Sequence, residues 1–268
     1  MRAQKLLGFA AALVLGAAAI PLNAQRAGGP PPGPARTVAP IDLTGYWVSI
    51  VSMDWRWRMV TPAKGDYAGV PMNAASKTVA DAWDPAKDEA AGEQCKSYGA
   101  PAIMSVPGRL HITWQDDSTL KVETDAGQQT RVLKFGAPAA PAAKTAPSWQ
   151  GTSTAQWQFS APGLPLMLRP QERAADAPAP PAQRGGTLKV VTNNLRAGYL
   201  RKNGVPYSAN AVLTEYWDMT KSGNDTLLTV TQIVDDPTYL RTRRLIAYPF
   251  KKEANGDKWD PTPCSARW

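Results

Sequence analysis

The sequence predicts a mainly β protein: an antiparallel up-and-down β-barrel with a short helical segment near the N-terminus, the alternative being a β-sandwich. Three observations carry this. From Arg109 to Phe135 apolar and polar residues alternate in three runs, and period-two alternation is what a half-buried strand requires. Short strand-like runs bounded by turn residues recur from there to the C-terminus. Helical spacing is confined to one early stretch, Asn73 to Cys95. Closure into a barrel is preferred because a secreted protein with so many strands must protect its edges.

In chain order, Met1 to Ala24 reads as a signal peptide: Arg2 and Lys5, an apolar run from Leu6 to Ile20, then Leu22-Asn23-Ala24 as a cleavage site. Residues 25–41, rich in Pro and Gly, read as a flexible leader. A single β domain is expected over 42–268, interrupted by Pro/Ala-rich insertions at about 136–148 and 160–186. Leu43 to Val51 is the first expected strand. Trp55 to Val60 reads as the second, with Trp55, Trp57 and Met59 on one face and Arg56 and Arg58 on the other. If the tryptophans pack inside, these arginines point to water. If the strand faces a cavity, they line it and can hold a carboxylate or phosphate bidentately.

Asn73 is a good N-cap for a helix ending before Pro85, and Asp84-Pro85 starts a second one. Ala102 to Val106 reads as an edge strand. The central meander follows, with turns at Gln115 to Ser118 and Asp125 to Gly127. Trp149 to Phe159 and Thr187 to Leu195 are further strands. Asn203-Gly204 marks a turn between Tyr199 and Tyr207. Ala211 to Met219 and Thr226 to Val234 form a hairpin, and Leu245 to Phe250 is the last strand.

Gly45 and Trp47 make a G-x-W start that resembles lipocalin-like barrels, where such a Trp plugs one end of the barrel. DLTGYW (Asp42 to Trp47), DAGQQTR (Asp125 to Arg131), WQGTSTAQW (Trp149 to Trp157), GTLKVVT (Gly186 to Thr192), NGVPYSANAVLTEYW (Asn203 to Trp217) and DDPTYL (Asp235 to Leu240) resemble, in order, a group of secreted bacterial proteins without assigned activity. The resemblance implies a single domain and supplies no catalytic residues. The insertion after Phe159 departs from it.

The formal net charge is +8, or +6 without Arg2 and Lys5. The basic residues are spread out. The densest cluster, Arg241, Arg243 and Arg244, sits among apolar residues, which points to contact with anionic surfaces and not to nucleic acid. Cys95 and Cys264 are expected to form a disulfide in an oxidising compartment, periplasmic or extracellular. No metal site is expected, since one histidine and two distant cysteines lack ligand spacing. Nucleophile-elbow, P-loop and dinucleotide fingerprints are absent from the sequence, and no cofactor is expected.

Ten tryptophans suit either a large core or a cavity wall. The leading expectation is a secreted or periplasmic binding protein for a small apolar or aromatic molecule, anionic in one version, with no stable membrane insertion after signal cleavage. Trp57, Trp114, Tyr199, Tyr207 and Tyr216 are its candidate wall residues, and Arg56, Arg58 and Arg201 its anion holders. The alternative is a cofactor-free lyase, isomerase or hydrolase in which His111 is general base, with Glu123 or Glu215 orienting it. A third reading is an envelope-associated structural or interaction protein.

Overall fold

The computed structural model describes residues 33–136, 145–159 and 185–267. The predicted signal peptide, the leader up to residue 32 and most of both insertions (137–144 and 160–184) lie outside the described residues. The strands are β1 (Gly45–Ser49), β2 (Arg109–Asp116), β3 (Thr119–Thr124), β4 (Thr130–Phe135), β5 (Thr152–Phe159) and β6 (Gly186–Asn193). Then come β7 (Gly198–Tyr199) and β8 (Pro206–Tyr207), followed by β9 (Val212–Ser222), β10 (Asp225–Asp235) and β11 (Arg244–Glu253). Nine of them close into a barrel in the order β1-β11-β10-β9-β6-β5-β4-β3-β2, and β7 and β8 pair as a separate ribbon.

The fold class is the one the sequence predicts, with one exception to pure up-and-down order. An odd number of strands cannot alternate direction all the way round a closed ring, so one neighbouring pair must be parallel. That pair is β4 and β5, registered Leu133↔Ser153 to Phe135↔Ala155. A parallel neighbour needs a connection that returns along the barrel; β4 ends at Phe135 and β5 begins at Thr152.

One face of every strand points inward. Leu120, Val122, Leu133, Leu188, Val190, Trp217, Leu228, Val230 and Tyr248 retain no accessible surface. Side chains lining a water-sized hollow would keep some, so this layer of the barrel is packed solid. The hollow interior expected for a ligand is therefore replaced by core. Trp47 is part of that core, fully buried, its indole donating to Leu43 O at 2.9 Å.

Trp114, Phe135 and Trp157 stack at one end of the barrel, with ring centroids 5.5 and 5.2 Å apart. Ala35, Val38, Ala39 and Ile41 pack over the core, and Trp157 donates to Ala35 O at 2.8 Å. The last part of the leader, residues 33–41, is thus an ordered plug and not a flexible tail. The opposite end is covered by α1 (Trp55–Arg58), α2 (Ala74–Asp81), α3 (Pro85–Ala90), a 3-10 turn (Gln94–Tyr98) and α4 (Ala100–Ile103). Asn73 caps α2 through Ser76 N as expected, and Pro85 opens α3. Two expected strands are helical instead. Trp55 to Arg58 forms one turn of helix after Asp54, whose backbone is left-handed (φ 54°). Ala102 belongs to α4, which starts with Pro101 in its first turn, where a missing N–H costs nothing.

Just inside the helical end lies a polar layer. The Arg131 guanidinium grips Glu215 with both arms, Nη1 at 3.0 Å from Oε1. Gln232 Nε2 donates to the same Oε1 at 2.9 Å and to Ala100 O at 3.2 Å. Both charged side chains are fully enclosed. Cys95 and Cys264 form a disulfide, Cα atoms 5.1 Å apart, fastening the C-terminal tail beside the 3-10 turn.

Candidate functional site

The helical end of the barrel gathers three arginines from distant parts of the chain. Arg58 ends α1, Arg201 stands at the start of the β7–β8 loop, and Arg244 begins β11. The loop is placed by its Asn-Gly turn. Asn203 donates to Ala63 O and Asp66 O at 3.1 and 2.9 Å. Gly204 has φ +81°, and a Cβ there would stand 2.2 Å from the Trp83 side chain, so only glycine fits.

All three arginines are only 3 to 5% exposed. Their shared carboxylate among the described residues is Asp54, 3.2 Å from Arg201 Nη2 and 3.7 Å from Arg244 Nη2. Arg58 donates Nε to Ser105 O at 2.8 Å and lies 5.2 Å over the Tyr248 ring. Arg201 donates Nη1 to Ala68 O at 2.7 Å. Among the described residues, the buried Arg58 Nη2, Arg244 Nη1 and Tyr248 hydroxyl have no hydrogen-bond partner. Between these side chains is a cleft of about 10 Å³ lined by Asp54, Trp57, Arg58, Ser105, Leu200, Arg201, Arg244 and Tyr248, enough for about one water-sized atom. Burial holds the Arg58 and Arg201 guanidiniums below the usual arginine range, and the charge of Arg244 adds to this at Arg201.

Three guanidiniums facing one carboxylate leave positive charge uncompensated where water screens poorly, and such charge is costly until paired. The arrangement can accept an anion whose oxygen enters the cleft and takes hydrogen bonds from unpaired guanidinium donors.

Of the residues singled out in the sequence, Trp57, Arg58 and Arg201 meet here. Arg56 lies outside the cluster, exposed and paired with Asp66 at 2.7 Å. The Arg56 and Arg201 guanidiniums both lie over the Trp57 ring, 4.6 and 4.5 Å from its centroid. The other wall candidates are scattered. Trp114 sits at the far end of the barrel beside an open hollow of about 380 Å³. Tyr199 donates to Asp88 at 3.3 Å, and burial with the Asp88 charge pushes its hydroxyl up to about 12. Tyr207 is wholly buried, its hydroxyl also raised by burial. Tyr216 lies on the outer face of β9, opposite Lys189 and Thr231.

His111 and Glu123 are cross-strand partners, Nδ1 to Oε2 3.3 Å. They stand on the outer wall, where His111 stacks on Tyr46 at 4.2 Å and meets the edge of Trp259. Glu215 is inside the barrel with Arg131, so it cannot orient His111. Asp54, Arg244 and Tyr248 were not picked out for this site by sequence reasoning, although the Arg241–Arg244 cluster was its visible trace. Among the described residues no group of three or more His, Cys, Asp or Glu side chains is placed to hold a metal ion. No protein-family model, curated protein or solved structure matches this chain, so the site is read from its own geometry.

Proposed function

We propose that the protein is a secreted or periplasmic binding module for a small anion, carboxylate or phosphate, taken at the arginine-lined end of the barrel. The observation that carries this reading is the buried triad Arg58, Arg201 and Arg244 around Asp54, with guanidinium donors left unpaired. The solid interior favours a ligand at the barrel mouth over one inside it, and the two guanidiniums over the Trp57 ring favour charge over aromatic stacking as the basis of recognition. The sequence from Met1 to Ala24 and the disulfide support an oxidising compartment.

The test is a titration of inorganic phosphate, acetate and benzoate, read by thermal unfolding and tryptophan emission. An anion that binds only the native state raises the unfolding midpoint as its concentration passes Kd. Arg244→Gln removes that shift, while Arg243→Gln, an exposed neighbour paired with Asp235, keeps it. A midpoint and emission that none of the anions moves would end this reading.

A further inference from the structure

The surface above the arginine triad is unusual in a second way. Between Met53 and Val60, Met53, Trp55, Met59 and Val60 are 53 to 64% exposed, and Leu245, next to Arg244, is 67% exposed. Most of the large exposed apolar residues in the described chain stand at this one end. Isolated apolar surface residues are ordinary; a cluster projecting around one helical turn is not. Cations surround it: Lys64 and Arg241 are exposed, Arg56 and Arg243 are exposed and paired with Asp66 and Asp235, and the buried arginine triad outnumbers its one paired carboxylate, Asp54. Among the described residues no helix is long and apolar enough to cross a membrane.

The geometry points to docking of this end of the barrel on an anionic phospholipid bilayer. Trp55, Met53, Met59 and Val60 enter the headgroup layer, and a headgroup phosphate places one oxygen against Arg58 and Arg244. The inference rests on the anion-binding reading and names the source of the anion. Tryptophan favours the membrane interface because it joins a large apolar ring to one polar N–H. Each basic residue near an anionic bilayer adds attraction that salt weakens. The cleft admits about one atom, which fits an oxygen of a phosphate that stays at the mouth as part of a larger surface.

The experiment uses the chain from Gln25 onward, which contains every described element. It is mixed with vesicles of phosphatidylcholine alone or of phosphatidylcholine with phosphatidylglycerol, and read by co-sedimentation and by the blue shift of tryptophan emission. Binding to the anionic vesicles is expected to be stronger by about tenfold or more, and to fall with added salt. The double variant Trp55→Ser/Met59→Ser, changed only at exposed positions, is expected to lose the vesicles and keep the thermal shift with inorganic phosphate. Arg244→Gln is expected to lose both. Phosphate binding without recruitment to anionic vesicles overturns the docking and leaves the anion reading standing. Recruitment that Arg244→Gln leaves intact overturns the headgroup contact, and when inorganic phosphate also gives no shift the anion reading falls with it. A dimer on gel filtration that Trp55→Ser/Met59→Ser dissolves, with no vesicle binding, overturns it in favour of a second copy of the chain.

Discussion

The buried ionic residues differ in what burial does to them. Arg131 and Glu215 are matched one to one inside the barrel. Removing one partner of such a pair strands the other charge and costs about 3–5 kcal/mol. Arg131→Met is therefore expected to lower the unfolding free energy by about that amount in urea melts, and Arg131→Met/Glu215→Leu to recover most of it. Lys202 is a different case. It is buried, donating to the Tyr98 hydroxyl at 2.6 Å, and burial pushes its ammonium down to about 7. The folded state binds this proton less tightly than the unfolded chain, so the destabilisation is full below pH about 7 and lifts as pH rises toward the ordinary lysine value of 10.5. Lys202→Met is expected to flatten the gain in stability between pH 7 and 9, measured as the difference between variant and parent urea midpoints.

At the scale of elements, the disulfide joins the 3-10 turn to the tail across 169 residues. Thr262 adds backbone bonds to Asp125 and Gly127 at 3.0 and 2.9 Å. Bridging so long a loop removes chain entropy from the unfolded state, and losing such a bridge costs about 2–5 kcal/mol. Cys95→Ala/Cys264→Ala is expected to show that loss, as is the parent protein melted in reductant. The meander β2–β3–β4 was legible in the sequence because its alternation runs long enough to fix a period. Trp55 to Val60 reads as a strand because a single turn is too short to separate a period of two from 3.6, and the chain enters that turn through a left-handed Asp54. Ala102 to Val106 reads as a strand because so short an apolar run carries no period of its own, while Pro101 opens a helical turn there. Arg58 and Arg201 were visible as candidates. Their grouping with Asp54, Arg244 and Tyr248 was not, since only barrel closure brings positions so far apart in the chain together.

At the scale of the molecule, the two ends of the long insertion are already held together by the sheet. Phe159 and Gly186 already face each other as the last pair of β5 and β6. Replacing residues 160–185 by a tight Asn-Gly turn is expected to leave the thermal midpoint unchanged or slightly raised, because closing a shorter loop costs less entropy; a large drop in a melt would show that the segment packs on the barrel. The ring has two kinds of seam. One is the short parallel contact of β4 with β5. The other is β1, which pairs with β2 on one side and with β11 on the other. β1 is synthesised early, yet one of its two neighbours ends at Glu253 and Cys264 lies later still. Emerging from a ribosome or a translocation channel, the first strand must wait with an unpaired edge until nearly the whole polypeptide has followed, and a chaperone that shields that edge would be most valuable during this interval.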